Sequence, residues 1–207
     1  MDKEELIIQG AIEIFQRDGI KTHTMDEIAK MLKVSKKTLY IYFRNREMLV
    51  KRVTEYFLEQ EKAAFQEIIK KADNSFEALR CVINQRMKIV DQLNEKIYKE
   101  ITGKFKNVSA QTDAFEKGYV RTLYADLLTK AQKEGFILPE VKPDLIARIM
   151  ISAKLELINP EIFPTSMYEF HEVSQTYYHA LLKGISTLKG IEHLKNLECS
   201  NAQISVA

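Results

Sequence analysis

Tryptophan is absent from the sequence, and the residues that make turns are scarce, with four prolines and seven glycines among 207 residues. A chain so poor in turn formers favours long helices over strands joined by tight turns. Cys81 and Cys199 stand far apart and fit neither a disulfide framework nor a metal knuckle, so a reducing, cytoplasmic compartment is expected. No apolar run reaches the roughly 18 to 20 residues of a membrane span. The charged start Met1-Asp2-Lys3-Glu4-Glu5 is unlike a signal peptide, and no membrane partner is expected. Catalytic signatures are missing too. There is no Gly-rich phosphate loop, Gly-x-Ser-x-Gly, His-Glu-x-x-His or Cys-x-x-Cys. His171 and His179 are two helical turns, roughly 12 Å, apart, too far to share one metal without a third element. No cofactor, metal site or enzymatic activity is expected.

The composition, 45% hydrophobic and 29% charged, suits one sizeable core or a small head on a larger body. Net charge is only +2, which argues against a general polyanion binder. The distribution is uneven, however. Between Ile28 and Arg52, eight cations (Lys30, Lys33, Lys36, Lys37, Arg44, Arg46, Lys51 and Arg52) face Glu47 alone, a local charge of +7. A concentrated basic stretch on a nearly neutral chain is the footprint of a nucleic-acid-binding head.

That stretch has an internal order. Thr24 is placed as an N-cap with Glu27 three residues on, the capping-box spacing. Ile28, Ala29 and Leu32 follow on one helical face, and Ala29 is small enough for a second helix to cross closely. Lys33-Val34 makes a turn, and Ser35 caps a second helix reaching Tyr42, with Leu39 inward. The outward residues Lys36, Lys37, Thr38, Tyr40 and Tyr42 combine cations, a hydroxyl and phenols, the mixture a DNA major groove accepts. The pattern is a helix-turn-helix with the recognition helix second.

The segment resembles the DNA-binding head of the TetR (tetracycline repressor-like) family of bacterial regulators. The match runs from Ala11-Ile12-Glu13-Ile14-Phe15 and Asp18-Gly19, through Thr24 to Ala29, Val34 to Tyr40 and Tyr42-Phe43, to Arg46-Glu47-Met48-Leu49. The family usually has small residues where Leu32 and Lys33 stand, often glycine at the latter, and often a small residue at Lys37. A non-glycine residue in a strained turn costs on the order of 1 kcal/mol. The resemblance implies an all-α fold, with a helix-turn-helix domain over residues 1–48 and an effector-binding and dimerisation domain over 49–207. It also implies a regulator, by default a repressor, that binds an operator in double-stranded DNA as a homodimer. The DNA-binding residues expected are Thr24, Lys36, Lys37, Thr38, Tyr40, Tyr42 and Arg46. Lys37 and Thr38 are the expected base readers; Lys36, Tyr42 and Arg46 are the expected phosphate contacts.

The remaining chain reads as helices. One is expected over Glu4–Asp18, with Ile8, Ala11, Ile12 and Phe15 inward and Gly19 as a left-handed cap. Asn45 is placed to cap a helix running unbroken from Arg46 to about Lys71, roughly 39 Å. Its inward side is read as Met48, Leu49, Val53, Tyr56, Phe57, Ala64, Phe65, Ile68 and Ile69. Asp73-Asn74-Ser75 begins another, with Phe76, Leu79, Ile83, Met87 and Val90 inward. Glu95–Phe105 has helical spacing, Gly103 and the polar run Asn107–Asp113 suggest a loop nearby, and Gln111–Glu134 reads as one long helix ended by Gly135. Glu95, Glu100, Lys154 and Glu156 are read as surface or interface charges. Asp144–Asn159 is apolar nearly all round, which requires burial on two sides. Ser166–Lys189 is the last long helix, closed by Gly190. These last two helices are the expected dimer interface. Met87, Tyr98, Tyr119 and Leu123 are the expected wall of a pocket for a small, lipophilic or aromatic effector. The competing reading is an α-helical enzyme or small-molecule carrier with an incidental helix-turn-helix, which the missing catalytic constellations disfavour.

Overall fold

The computed structural model describes residues 2–92, 100, 105–157, 159, 161–164 and 166–198. Among these the architecture is helical: α1 (Lys3–Asp18), α2 (Met25–Met31), α3 (Lys36–Tyr42), α4 (Arg46–Lys71), α5 (Ser75–Gln92), α6 (Lys106–Phe115), a π segment (Glu116–Val120), α7 (Arg121–Lys133), α8 (Pro143–Leu157), α9 (Phe170–Ile185) and α10 (Leu188–Glu198). The chain forms two compact units, each discontinuous in sequence. One comprises Met1–Gln66 with Ile89–Phe115, the other Glu67–Lys88 with Glu116–Ala207.

The first unit has its core where α1, α2, α3 and the start of α4 converge. Ile7, Ile8, Ala11, Ile14, Phe15, Ile28, Ala29, Leu39, Phe43, Leu49 and Val50 are buried there. The inward stripe of α1 thus runs through Ile7 and Ile14, while Ile12 is only partly buried. On α4, Val50 takes the inward position that the sequence reading gave to Met48, which is exposed. Gly19 does end α1 at positive φ, but with φ 90° and ψ 161° it leaves in an extended direction rather than a left-handed helical one. Its N–H still closes on the Phe15 carbonyl at 2.8 Å.

Two residues from far along the chain complete this core, Phe105 and Val108. The Asn107–Asp113 run lies within α6 rather than in a loop. Buried Val108 anchors that helix, and Thr112 returns its hydroxyl to the Val108 carbonyl at 3.1 Å. Glu100, expected at the surface, is buried, and its carboxylate accepts the Ile20 and Lys21 backbone N–H groups at 2.7 and 3.2 Å. Asn107 adds a hydrogen bond to Glu47 at 2.8 Å.

The second unit is built on α7 against α8. Tyr124, Leu127, Leu128 and Ala131 are buried, with Ala147 and Met150 of α8, and Phe76, Leu79, Val82 and Ile83 of α5. Pro143 opens α8 at the position where its missing N–H costs nothing. The long helix expected before Gly135 is interrupted by the π segment, and Glu116 and Val120 within it are buried. Phe76 stacks on Phe136 at 5.5 Å between ring centroids, and Lys189 lies 4.1 Å from the Phe136 ring centre.

The helix expected over Ser166–Lys189 is two helices. Its first turn is absent, with Met167 and Tyr168 exposed before α9 begins. It then stops at Ile185, where Ser186 is extended and bridges Ile137. Leu138 N–H donates to the Ile185 carbonyl at 2.9 Å, and Thr187 N–H donates to the Phe136 carbonyl at 3.0 Å. Backbone pairing with residues about 50 positions earlier in the sequence, not local propensity, stops the helix. Gly190 accordingly lies inside α10 rather than closing α9. A Cβ there would stand 2.4 Å from the Phe136 carbonyl oxygen, so only glycine fits.

Candidate nucleic-acid interface

The helix-turn-helix is held by three kinds of polar contact. The Thr24 hydroxyl accepts the Glu27 N–H at 3.2 Å, and the Glu27 carboxylate accepts the Thr24 N–H at 2.7 Å, a complete capping box. These bonds hold the Glu27 carboxyl below its usual range. The Ser35 hydroxyl oxygen accepts the Thr38 N–H at 3.0 Å, which starts α3. Asn45 does the same for α4 through the Met48 N–H at 2.9 Å. Each cap satisfies a backbone donor that a helix start leaves unpaired.

The turn between α2 and α3 closes with two backbone bonds. Val34 N–H reaches the Ala29 carbonyl at 3.0 Å, and Lys33 N–H reaches the Lys30 carbonyl at 3.1 Å. This is a Schellman turn, which demands a left-handed residue at its centre. Lys33 supplies it at φ 54°, and no other described non-glycine residue has positive φ. The end of α7 repeats the geometry. Phe136 N–H bonds the Ala131 carbonyl, Gly135 N–H bonds the Gln132 carbonyl, and the central residue is glycine at φ 79°.

Leu39 is fully buried and fixes the rotation of α3. Lys36, Lys37 and Tyr40 are then exposed, and Thr38 and Tyr42 half-buried on the flanks. Lys36 pairs with Asp26 of α2 at 2.5 Å, which raises the lysine's pKa first through the hydrogen bond and then through the charge. Thr38 also shares a hydroxyl contact with Ser35 at 2.7 Å. Arg46 opens α4 and donates from its guanidinium to the His23 carbonyl, tying the loop before α2 to the start of α4. His23 in turn contacts Asp18 at 2.8 Å. Hydrogen bonds from Arg17 and then His23 hold the Asp18 carboxyl far below its usual range. All seven residues singled out for DNA therefore sit on or beside α2, α3 and the first turn of α4.

The residues expected around an effector fall in the second unit, apart from Tyr98, which lies outside the described residues. Met87 is buried on α5; Tyr119 in the π segment and Leu123 on α7 are half-buried. An ion cluster joins these elements. Arg86, beside Met87, donates to Glu116 at 2.5 Å, and Lys154 of α8 donates to the same carboxylate oxygen. Burial pushes the Glu116 carboxyl up, and the Arg86 and Lys154 cations more than reverse this, leaving it below its usual range. Lys154, expected as a surface charge, is thus an inward cation. Tyr178 of α9 faces Arg86 and Glu116, and burial raises its phenol to about 12.

On the exposed side of α8 lie Leu145 and Ile149, one turn apart, 52% and 42% exposed. Ile151 is half-buried.

Residues 7–53 match the family model of bacterial regulatory proteins of the tetR family. Along most of its length the chain is similar to the uncharacterized HTH-type transcriptional regulator YhgD of Bacillus subtilis, 28% identical over 166 residues that cover 76% of this chain and 83% of that protein. It is also similar to the HTH-type transcriptional repressor KstR2 of Mycolicibacterium smegmatis, 22% identical over 195 residues, 92% of this chain and 94% of the relative. Among solved structures, the transcriptional regulator FadR from Bacillus subtilis in complex with stearoyl-CoA shares the fold, with a TM-score of 0.66 at 21% identity over 88% of this chain and 100% of that one. With its capped helix-turn-helix at residues 7–53, its helical body and these likenesses, the chain carries a DNA-binding head of the tetR family and resembles the transcriptional regulators of that family along most of its length.

Proposed function

We propose that the protein is a homodimeric repressor that docks α3 in the major groove of its operator and lets go when a small lipophilic or aromatic molecule binds the body. The observation that carries this reading is the face of α3. Leu39 is locked into the core, so Lys37, Thr38 and Tyr40 point away from it, with Lys36 and Tyr42 at the edges of the helix nearer the protein. In this reading residues 1–48 bind DNA and residues 49–207 bind the effector and the second copy. Thr24, Lys36, Tyr42 and Arg46 meet phosphates; Lys37 and Thr38 meet bases. Arg46 uses one nitrogen on His23, and a guanidinium has further donors for a phosphate. The protein acts in the cytoplasm, where its operator is.

Dimerisation follows from α8. Leu145 and Ile149 expose apolar area on a helix whose opposite side is already buried by Ala147 and Met150. A second copy of α8 and α9 covers that area most simply, as a four-helix interface. Two recognition helices would then address half-sites about 34–36 Å apart or a multiple of that.

The effector reading is supported by the resident chemistry of Met87, Tyr119 and Leu123 beside the Arg86–Glu116–Lys154 cluster, and by stearoyl-CoA in the B. subtilis FadR structure. Coupling between such sites is typically 1–3 kcal/mol, about 5- to 150-fold in affinity.

Operator selection from a random DNA pool, followed by titrations of the wild type and Arg46→Ala in rising salt, tests the head. The variant is expected to bind all sequences more weakly, with the salt slope reduced by about one. Unchanged affinity and slope would remove Arg46 from the interface. Thermal-shift screening with lipophilic compounds, and DNA titration with each hit, tests the sensor. Hits that leave DNA affinity unaltered would refute it.

A further inference from the structure

We propose that Ile41 reads the C5 methyl group of a thymine in the operator half-site. The inference rests on α3 being the groove-facing helix, and it assigns a specificity residue that the polar face alone does not reveal. Leu39 is fully buried, so it marks the inward direction of α3. At about 100° per residue, Lys37 and Ile41 stand about 160° from Leu39 on either side, which makes them the outermost pair on the helix. Tyr40 and Thr38 lie on the shoulders, and Lys36 and Tyr42 lie closer to the protein. Exposure agrees with this order: Ile41 is 70% exposed and Tyr40 46%.

A single exposed isoleucine usually needs no explanation. Here it occupies the crest of a helix whose other exposed side chains are cationic or phenolic. Anything that accepts this crest must offer anionic or acceptor groups on both flanks and one apolar group near the centre. The major groove fits that description. Phosphates line its edges, guanine offers acceptors to Lys37, and the thymine methyl is the apolar group that base pairs present on its floor. Ile41 has no donor or acceptor, so a cytosine in that place would leave its amino group desolvated and unpaired, which adds rejection to attraction. Lys37 and Ile41 are one turn apart, about 6 Å along the axis. The thymine therefore lies within about two base pairs of the base that Lys37 contacts.

The test uses the full-length protein and the operator obtained by selection. Each thymine is replaced singly by deoxyuridine, which removes only the C5 methyl, and binding is titrated for the wild type and Ile41→Ala. At one thymine per half-site the wild type is expected to bind the uracil operator about fourfold more weakly, the value of one buried methyl group. Ile41→Ala is expected to bind the thymine and uracil operators equally. Should the alanine variant bind too weakly to titrate, Ile41→Val decides, with an expected ratio between one and fourfold. Arg46→Ala serves as the contrast: it lowers affinity for both operators and keeps the wild-type ratio. A wild type indifferent to every uracil replacement, or an Ile41 variant that keeps the full fourfold ratio, overturns the assignment while leaving DNA binding intact. A selection that enriches no sequence overturns the DNA reading itself, and this inference with it.

Discussion

The Glu100 carboxylate receives the backbone N–H of Ile20 at 2.7 Å, across 80 residues of sequence. Ile20 is buried, and its N–H lies just past the end of α1, where no helical partner exists. Glu100 is thus the acceptor that lets the α1–α2 loop enter the core without an orphaned donor. Replacing it by alanine is expected to cost about 1–3 kcal/mol, because a buried donor is left unmade. Glu100→Gln keeps an acceptor oxygen and should cost less. Urea unfolding gives the magnitude, and faster hydrogen exchange at the Ile20 and Lys21 amides localises it. Protection unchanged in the alanine variant would show that the bond contributes nothing.

Lys33 and Gly135 occupy the same position in the same turn, one strained and one relaxed. Lys33→Gly is expected to raise stability by about 1 kcal/mol, since a left-handed conformation burdens a residue with a Cβ by roughly that amount. Gly135→Ala is expected to lower it by a similar amount, though a Cβ there meets nothing within 4 Å. Thermal unfolding of both variants separates backbone conformation from packing. Shifts of the same sign in the two would contradict this account. DNA affinity is a separate readout for Lys33→Gly, because a cation is lost beside α3.

Glu116 should shape the acid limb of stability. Its folded pKa lies below the ordinary glutamate value near 4.5. A depressed carboxylate stabilises the fold fully above its unfolded pKa, and that stabilisation is lost as pH falls through the folded value. The wild type is therefore expected to lose stability steeply below about pH 4.5. Glu116→Gln should be less stable at pH 7 by about 3–5 kcal/mol, since two inward cations lose their carboxylate. It should also show a flatter dependence between pH 5 and 3. A variant with the wild-type slope would assign the acid limb elsewhere.

Ile149→Glu and Leu145→Glu are expected to shift the protein to monomers in sedimentation while leaving helix content intact. Both side chains are already in water, so the cost falls on association rather than on folding. DNA affinity should drop in parallel, because two half-sites are then no longer held at once. If both variants stay dimeric, the partner face is not this one.

The local parts of the fold were legible in the sequence, and the non-local parts were not. Thr24 with Glu27, Ser35 and Asn45 announce their helices because a cap depends on neighbours three residues away. The turn at Lys33-Val34 could be placed for the same reason, while its strain at Lys33 was implied only by the family resemblance, in which glycine is usual there. By contrast, α6 hides in a polar run because Phe105 and Val108 bury its start against residues up to a hundred positions earlier. The end of α9 is set by backbone bonds to residues 136–138, which no pattern within the helix records. Glu116 and Lys154 look like surface charges until α5, the π segment and α8 bring them together. The exposure of Ile41 is not marked by any motif in the sequence; the structure shows it, with Leu39 fully buried and Ile41 70% exposed.

Phe105 and Val108 lie in the same hydrophobic cluster as Phe15 and Leu39. The DNA-binding module recognised over residues 7–53 is therefore shorter than the piece that folds. A gene fragment cut after α4 would carry every residue proposed to touch DNA and still lack part of its own interior. Grafting this specificity onto another regulator, or drawing it from one, requires residues 89–115 to travel with the first 66. Recombination at the border of the sequence motif would yield exposed apolar surface and an aggregating hybrid. A crossover that keeps both segments from one parent is the one that can give a working chimera.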